Sequence, residues 1–408
     1  MIVKTEGGVT AAKGFSAAGC AAGIKKPGVD DMAMIVSETP CVLAGTFTTN
    51  VVKAAPVIWD RDIVRKGRGS AVVINAGVAN ACTGQTGMEY CAATAEAASE
   101  ALKVEPDTVL VASTGVIGRQ LPIDKITEGV RVLAGSLSDT AEAAGRAARA
   151  IMTTDTVPKQ AAVSVTFSDG TTAFVGGMAK GSGMIHPNMC TMLCFITTDA
   201  CISGGLLQEA LSSVVPDTFN MVSVDGDTST NDTCLVLANG LAENRAITEK
   251  DSDYELFREA LLQVCTSLAR MMAKDGEGAT CLFECIVKGA ASKEDAKVLA
   301  RSVVSSNLTK AMIAGHDANF GRVLCALGYS GVQFDPSAVS LWLESKAGSV
   351  PVYERGTPLS FDEDYATAVL SEDEVRCIAD MGAGDAGAAA WGCDLTYDYV
   401  RINADYRS

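Results

Sequence analysis

Gly176-Gly177-Met178-Ala179-Lys180-Gly181-Ser182-Gly183-Met184-Ile185-His186-Pro187-Asn188-Met189-Cys190-Thr191-Met192-Leu193 packs four glycines, a lysine and a proline ahead of an apolar run. Glycine reaches backbone conformations closed to other residues and lets a chain turn sharply. A strained peptide can therefore sit where this segment enters the strand that starts near Met192, and such a peptide suits self-cleavage. Attack of the Thr191 hydroxyl on the Cys190 carbonyl would give an ester. Water would open it and free the Thr191 α-amino group, which with an ordinary pKa of roughly 8 can serve as base for its own hydroxyl. On spacing alone, a glycine-rich loop feeding a buried strand fits the same residues, and both readings stay open at this point.

Upstream, Val163-Ser164-Val165-Thr166-Phe167 alternates, Ser168-Asp169-Gly170 carries turn chemistry, and Thr172-Ala173-Phe174-Val175 alternates again, which predicts a hairpin leading into the segment. Downstream, Met192 to Ile196 and Thr233 to Ala238 read as strands. A helix starts with Ser252 and Glu255 at capping-box spacing and runs to about Lys274, and strand resumes over Ala279 to Val287. Nearer the start, Met34-Ile35-Val36, Cys41-Val42-Leu43 and Ala71-Val72-Val73-Ile74 read as short strands, and Ala-rich stretches at 88–102 and 137–152 as covering helices. From Ser292 a second region begins with a capped helix, holds the strand Leu341-Trp342-Leu343, and carries an acidic loop around 360–374.

The pattern predicts a mixed α/β protein with sheets packed between helix layers and a smaller C-terminal α/β domain. Residues 191–290 are expected to complete the main body, about 291–390 to form the smaller domain, and 391–408 to return to the site. No internal repeat or long linker is visible.

The 49 acidic residues exceed the 33 basic ones, for a net charge of −16. That balance repels a phosphate backbone, and Lys25-Lys26 and the stretch from Arg61 to Arg68 are short, interrupted basic runs, so no nucleic-acid partner is expected. The start resembles no secretory signal and no run approaches a membrane span, which gives a cytoplasmic expectation. The 14 cysteines are scattered, many in apolar runs such as those of Cys234, Cys281 and Cys325, and read as buried free thiols. With no CxxC pair and only His186 and His316 as histidines, no metal site is expected.

Thr114-Gly115 follows the apolar run Val109 to Ala112, where a strand-ending turn can present a hydroxyl and a backbone N–H together. Lys180 stands eleven residues before Thr191. A cation with several hydrogen-bonding groups around it can hold a carboxylate. Three other features read as decoys. Gly382-Ala383-Gly384-Asp385-Ala386-Gly387 matches a dinucleotide pattern without a strand before it or a βαβ unit after it, and is expected to be a loop and helix start. Asp225-Gly226-Asp227-Thr228-Ser229-Thr230-Asn231-Asp232 has the wrong spacing for a calcium loop and suggests structural or near-site hydrogen bonding. His186 reads as a loop histidine.

The segment around Thr191 resembles the self-processing site of the ornithine acetyltransferase family, with Cys190 where Ala is usual. The likeness spans essentially the whole chain, through Gly14 to Gly19, Ala44 to Asn50, Asn75 to Gly84, Ser113 to Gly118, Ile151 to Thr156, Asp275 to Thr280 and Val400 to Ser408. It implies cleavage between Cys190 and Thr191 into an α chain of 1–190 and a β chain of 191–408, two of each assembling together. It also implies Thr191 as nucleophile, Thr114 and Gly115 as the oxyanion hole, and substrate contacts from Thr154, Lys180, Thr191, Glu277, Asn403 and Ser408. Family members commonly have Thr where this chain has Ser408, and the hydroxyl is kept.

The implied reaction is ping-pong transfer of acetyl from N2-acetyl-L-ornithine to L-glutamate in arginine biosynthesis, without a cofactor; some relatives also take acetyl from acetyl-CoA. Two competing readings are a self-processing aminopeptidase or amidase and an uncleaved binding paralogue.

Overall fold

The structure is a computed structural model describing residues 1–186 and 192–405; Cys190, Thr191 and Ser408 lie outside the described residues. Strands β1 (Ile2–Thr5) and β2 (Phe15–Cys20) precede β3 (Met32–Phe47). The two apolar runs expected as separate strands, Met34–Val36 and Cys41–Leu43, are halves of this one strand. Between them, pairing to β4 (Arg68–Val78) shifts register from Val36 to Cys41, and Pro40 falls in that gap. Proline has no N–H to give to a ladder, so it fits where pairing is irregular.

Helix α1 (Ala55–Lys66) leads into β4; α2 (Gly84–Leu102), β5 (Val109–Val116), α3 (Ile123–Ala134) and α4 (Ala141–Ala150) follow it. The predicted hairpin forms as β6 (Lys159–Thr166) and β7 (Thr172–Lys180), and β8 (Leu193–Thr198) pairs antiparallel to β7. Then come α5 (Gly204–Val214), the short β9 (Val222–Ser223), β10 (Thr233–Ala238) and α6 (Ser252–Lys274). Among the described residues the first sheet runs β1-β6-β7-β8-β10-β3-β4-β5, with β2 also paired to β3. The β8/β10 and β4/β5 pairs are parallel, which requires the long crossovers that carry α5 and α2.

Both faces of this sheet are buried. In β10, Leu235 and Leu237 share a cluster with Phe195 of β8 and with Ile35, Val72, Ile74 and Leu110 of the β3–β5 half. The sheet therefore bends along β3 and packs one leaf on the other. The alternate residues Cys234 and Val236 face α5 and α6, while Met34, Val73 and Val109 face α2 and α3. The result is the expected arrangement of sheets between helix layers.

Helix α6 carries the body onward. Its N-cap is Asp251, not the expected Ser252, and the Asp251 carboxylate accepts from the backbone N–H of Asp253 and Tyr254. One side of α6 lies on β6 and β7, so closely that a Cβ on Gly177 would come within 3.2 Å of Leu268. Its other side meets a second sheet, built largely from β11 (Leu282–Ala290), β12 (Ser340–Ser345), β13 (Gly348–Glu354), β14 (Thr357–Pro358), β15 (Glu374–Asp380) and β16 (Ala386–Cys393). The order is β14-β13-β12-β15-β11-β16-β9. Strand β11, expected with the main body, pairs instead at the heart of this second sheet, between β15 and β16, and β9 joins its edge. A strand's own residues report burial but not which distant strand will pair with it.

Helices α7 (Lys293–Ser305), α8 (Asn307–Ala314) and α9 (Phe320–Gly328) follow β11, and Ser292 caps α7 as expected. The acidic stretch 360–374 is not all loop: Asp362 caps α10 (Glu363–Leu370) by accepting from the Tyr365 N–H. A strand, β15, does precede the Gly382 to Gly387 motif, contrary to expectation, but the motif enters strand β16 and not the expected helix, so the dinucleotide reading fails for want of a helix N-terminus. Cys325, expected in a strand, lies exposed on α9, whereas Cys234 and Cys281 are buried; the described cysteines form no disulfide. Helix α11 (Tyr397–Asp405) ends the described chain. Among the described residues, no helix is long and apolar enough to cross a membrane.

Leu268 is fully buried in the cluster that α6 shares with both sheets. Leu268→Ala is expected to lower stability by about 2–5 kcal/mol through lost burial and a cavity, read from the urea midpoint at unchanged m-value.

Candidate active site

Strands β7 and β8 end against one another, with Lys180 opposite Leu193. The chain leaves the sheet at Lys180 and must return to it at Leu193. The described part of this excursion is held tightly. Gly181 N–H donates to Asp155 Oδ1 (2.9 Å), and Met184 and Ile185 N–H donate to the Asp225 carboxylate (2.6 and 2.9 Å). Asp225, singled out in the acidic cluster, is thus a backbone anchor for the glycine-rich segment. Ser182 and Met184 adopt positive φ (101° and 57°), which costs a non-glycine residue energy unless its surroundings impose it. A Cβ on Gly183 would lie 2.4 Å from the Glu277 carboxyl carbon, so any side chain there would displace that carboxylate from the cleft.

A cleft of about 510 Å³ opens beside this segment. Thr114, Gly115, Thr154, Lys180, Glu277 and Asn403 all line it. So does Met192, the residue joined by a peptide bond to Thr191. Of the residues singled out in sequence, only Cys190, Thr191 and Ser408 fall outside the described set.

Thr114 and Gly115 belong to the end of β5, so the expected turn is still strand, paired in parallel with Ala76 and Gly77 of β4. Gly115 has φ 128°, and a Cβ would sit 2.3 Å from the Gly77 carbonyl carbon. Only glycine fits this approach. The preceding Ser113 is pinned from two sides: its Oγ accepts from Asn80 N–H (2.6 Å) and its carbonyl accepts from Asn231 Nδ2 (2.8 Å). Across the cleft, Asn403, exposed on α11, donates from Nδ2 to Glu277 Oε2 at 2.7 Å.

Two buried charges in the cleft are displaced in opposite directions. Burial lowers the Lys180 pKa, with Asp155 the main charge resisting the shift. Burial raises the Asp232 carboxyl well above the usual carboxylate range, and Asp232 Oδ2 has no hydrogen-bond partner. Asp232 immediately precedes Thr233, which is the register partner of Leu193. It was visible in sequence only as one member of an acidic run, because its approach to Met192 depends on the parallel β8/β10 pairing. Both shifts arise from burial, and perturbed groups sharing a cleft make it a candidate functional site.

His186 lies outside this cleft. Its Nε2 accepts from an Arg301 N–H (2.9 Å), so its Nδ1 carries the proton toward Ser223 Oγ (3.0 Å). Burial, aided by the Arg301 charge, pushes its pKa down to about 4. Among the described residues, no group of histidine, cysteine or carboxylate side chains could hold a metal ion.

The arrangement presents backbone and hydroxyl donors at a strand end, a cation, and a hydrogen-bonded carboxylate around a space of amino-acid size. The ArgJ family pattern matches residues 16–408 of the chain. The chain belongs to the ArgJ family. The arginine biosynthesis bifunctional protein ArgJ of Symbiobacterium thermophilum is 54% identical over 404 residues, covering 98% of this chain and 99% of that protein. The crystal structure of the Bacillus halodurans arginine biosynthesis bifunctional protein argJ is 46% identical, with a TM-score of 0.50, and covers 52% of this chain and 98% of its own. A crystal structure of ornithine acetyltransferase complexed with ornithine from Mycobacterium tuberculosis is 42% identical, with a TM-score of 0.43, over 47% of this chain and 100% of its own. ArgJ family membership confirms the family likeness carried by the motifs, and with it an acetyltransferase of arginine biosynthesis.

Two outcomes follow for this site. Gly115→Ala should reduce kcat, measured at saturating substrate, about 10²-fold or more, because a Cβ 2.3 Å from the Gly77 carbonyl carbon must shift the strand end that lines the cleft. The folded protein excludes a proton from His186 that the unfolded chain binds near its ordinary pKa of 6.5. This stabilisation is full above that value and is lost as pH falls toward about 4. Imidazole NMR should give a midpoint near 4; a midpoint near the ordinary value would show that the ring is not buried beside Arg301.

Proposed function

We propose that the chain cuts itself between Cys190 and Thr191 and uses Thr191 to move acetyl from N2-acetyl-L-ornithine to L-glutamate. The observation that carries this reading is the meeting of Thr114, Gly115, Lys180, Glu277 and Asn403 in one cleft that also holds Met192, the neighbour of Thr191. The Bacillus halodurans chain adds support: nearly all of it matches, yet it covers only 52% of this chain, close to the share of residues 191–408.

In the first half-reaction the Thr191 α-amine takes the proton from its own hydroxyl, and Oγ attacks the acetyl carbonyl. Thr114 Oγ–H and Gly115 N–H stabilise the resulting oxyanion. Collapse breaks the bond to ornithine N2, which leaves with the proton held by the α-ammonium. The acetyl group now esterifies Thr191. In the second half-reaction the glutamate amine attacks that ester, the oxyanion forms at the same donors, and Thr191 Oγ departs and regains a proton. Lys180 supplies the cation for a substrate carboxylate, and Glu277, oriented by Asn403, accepts the side-chain ammonium of acetylornithine. Thr154 and Ser408 complete the contacts in this reading.

The relatives are named bifunctional, and acetyl-CoA is the second donor in this proposal. Two α and two β chains form the working particle. A cytoplasmic setting suits buried free thiols such as Cys234 and Cys281.

Thr191→Ala tests the reading. The variant should run as one intact band near 42.2 kDa and transfer no acetyl, whereas the parent runs as two shorter bands. A cleaved or active variant would overturn the assignment. Product analysis decides between transferase and hydrolase: N-acetylglutamate should form with glutamate present, and acetate released equally with and without glutamate would favour the hydrolase.

A further inference from the structure

Lys159, the first residue of β6, has no solvent exposure at all. Its ammonium donates to Asp155 Oδ1 (2.7 Å), to the Val157 carbonyl (3.0 Å) and to Asp275 Oδ2 (2.5 Å). Three donors meet three acceptors. A buried ion pair of this kind is a weak source of stability compared with well-packed apolar residues, so its use is sought in what the two carboxylates hold.

Asp155 also accepts from Gly181 N–H at Oδ1 (2.9 Å) and from Thr153 N–H at Oδ2 (3.0 Å), and Oδ2 lies 3.9 Å from Lys180 Nζ. Asp275 accepts from the Thr156 backbone N–H (3.0 Å) and hydroxyl, and stands two residues before Glu277. One ammonium therefore ties together the three segments that bring Thr154, Lys180 and Glu277 to the cleft. The Asp155 carboxylate is opposed by its burial, yet Lys180, Lys159 and the Gly181 N–H hold its pKa below the ordinary value. It remains an anion where an anion is needed.

The groups whose charge is felt at Lys180 are Asp155, Lys159, Glu277 and Asp232, together with Lys25, whose ammonium donates to the Met152 carbonyl at 2.6 Å. Burial and the two lysines work against the Lys180 charge. Asp155 is the largest influence preserving it.

We propose that Asp155, clamped by Lys159, is the positioning residue that keeps Lys180 cationic and aimed at the substrate carboxylate. The inference rests on the reading above in which Lys180 meets substrate, and goes beyond it by assigning the device that holds Lys180 ready.

The test is the pH dependence of KM for N2-acetylornithine in the purified full chain, across roughly pH 6 to 10. Binding weakens as Lys180 loses its proton. Asp155→Asn removes the counter-charge, so the alkaline rise in KM should move down by about 1 unit or more, and KM on that limb should rise roughly tenfold against the parent. Asp275→Asn loosens the same clamp but leaves the counter-charge, so its limb should stay at the parental pH. A D155N limb that coincides with the parent overturns the proposal. Equal movement in D275N also overturns it, since general loosening would then explain the effect. Lys180→Met separates the two layers of the reading: a high KM with no alkaline limb is expected. An unchanged KM would remove Lys180 from the substrate site and the inference with it. In the unmodified enzyme, the ¹⁵Nζ signal absent from K180M should keep its ammonium shift at neutral pH. A neutral amine there overturns the proposal even if D155N does not fold.

Discussion

The pairing of Lys180 with Leu193 at the ends of β7 and β8 sets the terms for the rest of the molecule. It brings both ends of the glycine-rich excursion to one point in the sheet, so a long segment must double back over a short distance. The strand that receives it, β8, is buried along its whole length and flanked by β7 and β10. Such a strand cannot slide, because a one-residue slip would exchange Leu193 and Phe195, which face one core, with Cys194 and Ile196, which face the other. The position of Met192 is therefore fixed by the two cores rather than by the loop. Residues as distant as Thr114 and Glu277 can then be arranged around a stationary point.

Buried charge is the second constraint. Lys159, Asp155 and Asp275 are removed from water together and compensate one another, and their spare acceptor sites grip backbone N–H groups of the cleft-forming segments. Asp225 plays a similar part for the Met184-Ile185 peptide units. Carboxylates accepting several backbone N–H groups make rigid supports for otherwise pliant glycine-rich chain. The same low-dielectric surroundings displace Lys180 and Asp232 from their ordinary titration in opposite senses. Rigidity and tuned charge thus arise from one arrangement.

Elements with strong local periodicity were legible before any coordinates. Strand β10 coincides with its predicted span from Thr233 to Ala238, the hairpin β6–β7 turns where Ser168-Asp169-Gly170 predicts, and α6 ends at Lys274. What local pattern cannot carry is partnership. Strand β11 reads as a buried strand and is one, but its membership of the second sheet is decided by β15 and β16, about 100 residues further on. The union of Met34–Val36 and Cys41–Leu43 was hidden by Pro40, which punctuates the run without ending it. At the site, family likeness marked Thr114, Gly115, Lys180 and Glu277, Asp232 showed only as the last member of an acidic run, and Lys159 carried no local signal. An ammonium in a core is recognisable only once its two carboxylates have been brought to it.

The interleaving of the first sheet has a consequence for how the halves of this chain could ever exist apart. Strands β8 and β10 come from beyond residue 190 but lie side by side between β7 and β3, which come from before it. A polypeptide of residues 1–190 alone would have a sheet with a gap two strands wide, and both rims of the gap would offer unpaired backbone for templated addition of strands from other molecules. A polypeptide of 191–408 would hold the two missing strands with no leaf to lie in. Split-gene expression of the halves should therefore behave as complementation, with solubility gained only when both are made together, and a scission after folding is the topologically safe order of events.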